Sequence, residues 1–162
     1  MRFETERLIL RPPQTADAPL LFDFLGDPEI MRHTYRRESV EDCQRYLVAH
    51  EKQRAPIGFA PWTVLNKADE RIIGFGGLYD DPFDPGWGLE VAYFFARAAW
   101  GQGFALELTR FCLDHAGERG VAELSAFAHA DNAASRRVLE KAGFEEKRFL
   151  PEMERYLYRW AA

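Results

Sequence analysis

The stretch Trp100-Gly101-Gln102-Gly103-Phe104-Ala105 decides how this sequence of 162 residues is interpreted. It lies between a predicted strand, Leu89 to Phe95, and a predicted helix that begins at Phe104. A glycine-rich turn leading into a helix directs backbone N–H groups outward at the positive end of the helix dipole, and such a turn binds phosphate without a basic side chain. The alternative for an isolated pair of glycines is a plain helix N-cap with no ligand.

Two common nucleotide-binding loops are excluded by the residues that follow the glycines. The dinucleotide fingerprint needs a third glycine three residues after Gly103, and position 106 is leucine. The P-loop closes with lysine and then serine or threonine, whereas Phe104 and Ala105 stand here. The predicted phosphate ligand therefore belongs to another class of compound.

Length, charge and composition restrict the function classes further. A chain of 162 residues predicts a single domain, 1–162, which needs no disulfide or metal to fold. The net charge of −5 argues against a nucleic-acid partner, and no segment reaches the ~20 apolar residues of a membrane span. Cys43 and Cys112 are predicted to be reduced thiols, which favours a cytoplasmic location. No cluster has metal-ligand spacing, so no metal is expected.

Apolar periodicity and turn residues predict a mixed sheet flanked by helices, an α/β (α+β) fold. Ser39 begins a capping-box sequence and predicts a helix start, and Gly143 predicts a helix end. The predicted strands are Leu8–Leu10, Gly58–Leu65, Arg71–Leu78, Leu89–Phe95, Leu124–Ala128 and Arg155–Trp160. The first predicted helix is capped by Thr15 or Asp17, has Pro19 in its first turn and ends at Gly26, and the others lie near Val40–His50, Phe104–His115 and Asn132–Ala142.

Three blocks in order resemble the GNAT acetyltransferase superfamily. Residues 89–105 resemble its acyl-coenzyme A motif, residues 129–144 its second cofactor motif, and residues 4–12 the first strand of the ribosomal-protein N-terminal (alanine) acetyltransferase branch. Trp100 departs from the usual Gln or Arg, a departure common in that branch. The resemblance implies a twisted, mostly antiparallel sheet of six to seven strands with about four helices, splayed between the fourth and fifth strands.

The resemblance also implies acetyl-CoA as the acetyl donor and assigns residues to it. Amides of Gly101, Gln102, Gly103, Phe104 and Ala105 would hold the pyrophosphate, and the strand residues Tyr93, Phe94 and Phe95 would contact the pantetheine arm and supply an oxyanion-hole amide. Asn132 would cap its helix and bind the pantetheine, and Ser135 would hydrogen-bond the leaving thiolate. The alternative is that Asn132 only caps and Ser135 only packs. Arg136, Arg137 and Lys141 either meet the adenosine 3′-phosphate or form a solvated basic face.

Glu90 is the predicted general base. Its carboxylate stands on the opposite strand face from Leu89, Val91 and Tyr93, in a run that is otherwise apolar. Partial burial would raise its pKa towards a useful value. The alternatives are a solvent-facing residue or an ion pair with a residue such as Arg97.

The acceptor side is predicted from two connecting segments, by resemblance. They supply Arg32, His33, Tyr35 and Trp87, with His33 as an alternative base. Three aspartates, at positions 80, 81 and 84, either attract a cationic amine or form a plain acidic loop. The implied activity is acetyl transfer to a primary amine, from a protein N-terminus or a small molecule, by direct attack in a ternary complex. The rival is a non-catalytic acyl-CoA sensing domain. The branch also contains dimers, so a homodimer is one option that no residue decides.

Overall fold

The computed structural model describes residues 1–162, which form one eight-stranded sheet with helices on both faces. The strands follow the order β1-β2-β3-β4-β5-β6-β8-β7 across the sheet. Their bounds are β1 Phe3–Glu4, β2 Leu8–Arg11, β3 Trp62–Asn66, β4 Ile72–Tyr79, β5 Glu90–Phe95, β6 Glu123–His129, β7 Glu145–Leu150 and β8 Arg155–Ala161. The helices are α1 Ala18–Leu25, α2 Val40–Glu51, α3 Arg54–Ile57, α4 Phe104–Glu118 and α5 Ala133–Ala142.

Helix ends follow the local sequence signals. The Ser39 side chain accepts a hydrogen bond from the Asp42 amide at the start of α2, as the capping pattern predicts. Gly143 ends α5 in the left-handed region, at φ 101°. Gly58, at φ 82°, ends the single turn α3, and this turn delays the start of the next strand to Trp62.

The pairing of β5 with β6 differs from every other pairing in the sheet. All other neighbours are antiparallel with two or more registered pairs, whereas β5 and β6 run parallel and share one pair, Glu90 with Ser125. Beyond that pair the two strands diverge. The predicted splay between the strands at residues 89–95 and 124–128 is confirmed.

The sheet has eight strands where six to seven were expected. The strand β1 is only two residues long, too short to leave a periodic signal. The sequence of β7, EEKRFL, is exposed at five of six positions because it forms a sheet edge, so it lacks the apolar alternation of a half-buried strand. Of the five helices, four have eight or more residues, as expected, and α3 is the extra turn.

The two faces of the sheet bury separate cores. One core packs α4 and α5 on the strands through residues such as Leu108, Leu139 and Leu78. The other packs α1 and α2 on the sheet through Leu21, Leu47 and Phe75. Leu78 and Phe75 belong to the same strand but to different cores, because side chains alternate between faces along a strand. No helix of the fold is long and apolar enough to cross a membrane.

Candidate active site at the splayed strands

A groove of about 1300 Å³ follows the gap between β5 and β6. One end is lined by Gly101 and Gly103, the middle by Tyr93 and Ser135, and the other end by Glu90. Val91 and Phe95 belong to the core under α4 and α5, so by strand alternation Tyr93 faces the same way. Glu90 and its cross-strand neighbour face the α1–α2 side. The groove therefore connects the two faces of the sheet.

The turn before α4 presents free backbone donors to the groove. Gly103 is the N-cap of α4 at φ 80° with no side-chain cap, and Gly101 has φ 73°. A Cβ atom added at Gly101 would meet nothing within 4 Å, so the backbone there is open to a ligand. A helix N-terminus without a side-chain cap leaves its first N–H groups unsatisfied by the helix. This arrangement fits an anionic ligand.

Arg7 holds this turn in place from behind, a role that sequence reasoning missed. Its guanidinium donates to the Gln102 carbonyl at 2.7 Å and to the Glu107 carboxylate at 2.7 Å. The same guanidinium lies 4.4 Å from the centre of the Phe104 ring. Glu107 is on the first turn of α4, so the network links the residue just before β2 to the start of the helix. Nothing in the sequence near Arg7 marks that contact, which spans about a hundred positions.

Gln102 is the one member of the turn that does not line the groove with its neighbours. Its side-chain amide donates to the Ala98 carbonyl at 2.8 Å, so only its backbone remains available to a ligand. Trp100 is similarly occupied, because its indole N–H donates to the Phe95 carbonyl at 2.9 Å. Both side chains shape the turn.

The ladder between β4 and β5 selects which amides of β5 face the gap. Ala96 donates to the Ile73 carbonyl, and bonded and non-bonded pairs alternate along an antiparallel ladder. The Phe94 amide therefore points to β4, whereas the amides of Tyr93 and Phe95 point into the gap. Phe94 still lines the groove with its side chain. All three residues were predicted to contact the pantetheine arm, but the sequence could not select which of their amides faces it.

Glu90 is buried at the point where the gap opens. Its residue is 6 % exposed, and its carboxylate has neither a hydrogen-bond donor nor an ion-pair partner within the chain. Burial raises the pKa of Glu90 to about 8, and the neighbouring carboxylates of Asp81 and Asp84 add to the effect. The structure excludes both alternatives for Glu90, because the residue is not solvent-facing and Arg97 instead lies 5.1 Å from the Trp100 ring.

Ser135 and Tyr93 meet across the groove. Their hydroxyl oxygens are 3.0 Å apart, and the Ser135 amide donates to the Asn132 side-chain oxygen at 3.1 Å. Burial raises the pKa of Tyr93 to about 12, so its hydroxyl stays protonated near neutral pH. Asn132 caps α5 as predicted, and both it and Ser135 line the groove. The side-chain role of Tyr93 was missed, because the sequence pointed only to its backbone.

The basic residues of α5 divide into two groups. Arg136 is held by the Glu146 carboxylate at 2.7 Å and by the Tyr158 hydroxyl at 3.1 Å, so it joins α5 to the sheet. Arg137 and Lys141 are exposed, line the groove and have no carboxylate partner. Only these two remain available to an anionic ligand.

The segment between α1 and α2 crosses the gap at the acceptor end. The ring of His33 stacks on His129 of β6 with centroids 4.6 Å apart, and Arg155 of β8 donates to the His33 carbonyl at 3.3 Å. Arg155 also lies 5.7 Å from the Tyr35 ring. Burial lowers the pKa of His33, and the nearby His129 and Arg32 lower it further. Arg32, His33 and Tyr35 all line the groove.

Asp80 and Trp87 are the two predicted acceptor residues that the structure places outside the groove lining. The Asp80 backbone pairs with the Gln53 side-chain amide. Trp87 lies against β6 instead. Its ring packs edge-on against Phe127 at 5.2 Å, and its carbonyl accepts a hydrogen bond from the Ser125 hydroxyl at 3.0 Å. These contacts hold the connection into β5 against β6. Tyr46, Tyr79 and Phe83 line the acceptor end instead, and no sequence pattern singled them out.

Comparisons with known proteins agree with this geometry. A family model described as "Acetyltransferase (GNAT) domain" matches residues 7–145. The chain is 26% identical over 162 residues to the uncharacterized N-acetyltransferase YoaA of Bacillus subtilis (strain 168), a match that covers 96% of this chain and 87% of YoaA. It is similar to the crystal structure of an acetyltransferase from Agrobacterium tumefaciens str. C58, at 23% identity and TM-score 0.85, covering 100% and 95% of the two chains. It is also similar to RimL, a ribosomal L7/L12 alpha-N-protein acetyltransferase solved with coenzyme A, at 14% identity and TM-score 0.83, covering 99% and 98%.

Proposed function

Since this chain belongs to the GNAT acetyltransferase family, whose N-acetyltransferases use acetyl-CoA as the donor, we propose that its groove brings the thioester and a primary amine together at Glu90. Donor and acceptor enter from opposite faces of the sheet and meet in the gap between β5 and β6. Direct attack in a ternary complex follows, with much of the rate coming from proximity.

The donor end fits a pyrophosphate and an extended amide-containing arm. The uncapped N–H groups of Gly101 to Ala105 would hold the pyrophosphate. The two amides of β5 that face the gap would pair with the pantetheine arm as a neighbouring strand would, and one of them would polarise the thioester carbonyl. Arg137 and Lys141 would attract the phosphate at the adenosine end. The coenzyme A bound to RimL supports this part of the proposal by analogy.

Glu90 would accept the proton of the attacking amine, directly or through one water molecule. Removing a proton from a lysine ammonium at pH 7 costs about 4.6 kcal/mol, and from a peptide N-terminal ammonium only about 1.4 kcal/mol. A carboxylate with a pKa of about 8 is a far stronger base than an exposed glutamate, so it suits either acceptor. An arriving ammonium ion also favours the ionised form of Glu90, because opposite charges stabilise each other.

The paired hydroxyls of Ser135 and Tyr93 would stabilise the departing thiolate. The Ser135 hydroxyl is a much weaker acid than a thiol of pKa ~8.5, so it would donate a hydrogen bond and keep its proton. Tyr93 can donate to the Ser135 oxygen at 3.0 Å, which makes the serine hydroxyl a better donor towards the sulfur.

The observation that carries this proposal is the buried, unpartnered carboxylate of Glu90 at the opening of the gap. A coenzyme-release assay with acetyl-CoA and a panel of peptides, polyamines and aminoglycosides tests it, comparing the wild type with Glu90→Gln. The control is Glu123→Gln, the same change at an exposed position outside the groove. We expect kcat to fall about 100-fold or more in Glu90→Gln only.

Two results would contradict the proposal in different ways. Unchanged turnover in Glu90→Gln would remove this residue as the base. Coenzyme binding without turnover on any amine would favour the acyl-CoA sensing domain.

A further inference from the structure

The acceptor end of the groove is lined by three acidic side chains. Asp81, Asp84 and Glu90 all line it, and none of the three has an ion-pair partner. Asp81 is half-buried, and both burial and the nearby Asp84 raise its pKa. Glu90 is a buried carboxylate without any hydrogen-bond donor, facing the same space. Unpaired buried charge is costly unless a ligand supplies the opposite charge.

The positive side chains nearby are largely engaged elsewhere. Arg37 pairs with Asp42 at 3.8 Å and covers the Tyr46 ring at 4.4 Å. Arg32 pairs with Glu29 at 3.9 Å. Arg155 has no carboxylate partner and offsets part of the charge on Glu90, and its guanidinium is held by the His33 carbonyl and the Tyr35 ring. Arg36 is exposed and unpaired. The carboxylates of Asp81 and Asp84 on the loop after β4 therefore stay without a paired cation, whereas the arginines lie on the segment between α1 and α2 and on β8.

Aromatic rings line the same end of the groove as these carboxylates. Tyr79 is the cross-strand partner of Glu90, and Asp81 follows it by two residues. The rings of Tyr46 and Phe83 stack with centroids 5.7 Å apart and planes 14° from parallel. Faces of aromatic rings attract cations, and their edges pack against methylene chains. This lining suits an apolar spacer with a positive charge at each end.

Access to this end is restricted on the side of β6. The stacked pair His33 and His129 joins the linker between α1 and α2 to the far side of the gap. The hydrogen bond from Arg155 to the His33 carbonyl fastens the same linker to β8. A short acceptor fits beneath such a crossing segment more readily than an extended polypeptide does.

We propose that the preferred acceptor is a small amine with two positive charges, a diamine or polyamine. One amino group reacts at Glu90, and the second is held by Asp81 and Asp84. This inference depends on the proposed acetyl transfer and names the acceptor for the same groove. The reacting ammonium first passes one proton to Glu90, and the free amine nitrogen then forms the amide bond with the acetyl carbon as the thioester C–S bond breaks. The second nitrogen proton passes through water to the departing thiolate, which leaves as coenzyme A.

Steady-state kinetics with matched acceptors test the inference. The panel contains straight-chain diamines with spacers of two to five carbons, the alkyl monoamines of equal length, and short peptides with a free N-terminus. We expect kcat/KM for the best diamine to exceed that of its matched monoamine by about tenfold or more, and this preference to weaken as salt screens the charges.

The variants Asp81→Asn and Asp84→Asn, singly and together, test whether these two residues hold the second ammonium group of the acceptor. Asparagine keeps the side-chain oxygen with which Asp81 accepts the Phe83 amide, so the loop is preserved. The double variant should lose about tenfold more in kcat/KM for the diamine than for the matched monoamine, whose own change reports the lower pKa of Glu90 once its two acidic neighbours are neutral. Asp114→Asn, an exposed acid on α4 outside the groove, removes the same charge and should change neither.

The outcomes separate this inference from the function on which it depends. Coenzyme release with a monoamine or peptide at least equal to that with every diamine would overturn the acceptor assignment and leave the acetyltransferase intact. An equal loss for both acceptors in the aspartate variants would overturn it too. Absence of release with any amine would refute the proposed function itself.

Discussion

The two ends of the groove are formed by different kinds of group, backbone at one end and side chains at the other. The donor end consists of backbone: uncapped amides at the start of α4 and strand amides along β5 that have no partner in β6. The acceptor end consists of side chains from distant segments, among them Glu90, Asp81 and Tyr46. A backbone site depends on turn geometry, whereas a side-chain site depends on packing between elements.

This difference determines what each end tolerates. At the donor end most side chains can change as long as the glycines permit left-handed φ values. At the acceptor end each side chain determines charge and shape directly, so substitutions there alter which amine is accepted. We expect relatives with the same donor end to differ in their acceptors.

The largest expected effect is on stability at the acceptor end. The pKa of Glu90 rises from about 4.5 in the unfolded chain to about 8 in the folded protein, so folding disfavours its ionised form. The ionisation of Glu90 therefore leaves the free energy of unfolding unchanged below pH 4.5 and lowers it as the pH rises towards 8. Glu90→Gln removes this loss and should be more stable than the wild type by on the order of 3 kcal/mol at pH 7.

Chemical denaturation across this pH range measures the difference between the two proteins. The difference in the free energy of unfolding between Glu90→Gln and the wild type should increase from pH 4.5 to 8 and then level off. In Glu123→Gln, where the same change is exposed, the stability should follow the wild type at every pH. A stability difference for Glu90→Gln that does not change with pH would show that burial does not raise the pKa of this carboxyl group.

The next effect concerns the donor end and uses two matched glycines. Gly101 and Gly120 have φ values of 73° and 76°, and a Cβ at either would meet nothing within 4 Å. Alanine should therefore cost both variants a similar ~1–2 kcal/mol of backbone strain. Only Gly101 lines the groove, so calorimetric titration should show coenzyme A binding about tenfold weaker in Gly101→Ala and unchanged in Gly120→Ala. Equal affinities in both variants would contradict a backbone phosphate site.

The smallest effect is expected at Ser135, where the two ends meet. Ser135→Ala removes one hydrogen bond to the leaving thiolate and should lower kcat about five- to tenfold, with little change in KM for acetyl-CoA. Tyr93→Phe, which keeps the ring, should lower kcat by less, since it acts through the serine. Single-turnover kinetics measure both. A Tyr93→Phe defect larger than that of Ser135→Ala would reverse their assigned order.

The donor end could be predicted from the sequence because each of its sequence signals lies within one short segment. The glycine turn, the strand before it and the capped helix α5 each occupy one short segment, and their predicted bounds lie within a few residues of the observed ones. The resemblance to the family joined these segments. The choice between Tyr93 and Phe94 as amide donor needed the register with β4, which only the folded sheet supplies.

The acceptor end and its supports could not be predicted in the same way. Arg7 contacts residues about a hundred positions away, and Tyr46 reaches the groove only because α2 packs on β4. Trp87 was predicted for the acceptor side because, by the family resemblance, the loop before β5 lines it, but its ring packs against Phe127 instead. Edge strand β7 was missed because exposure removes the apolar alternation that identifies a strand.

Amide hydrogen exchange with and without coenzyme A tests whether the donor end is a backbone site. We expect new protection at the amides of 101–105 and at Tyr93 and Phe95 of β5, while Phe94, already bonded to β4, changes little. Saturating coenzyme A that protects other parts of the chain and leaves those amides exchanging as in the free protein would contradict it.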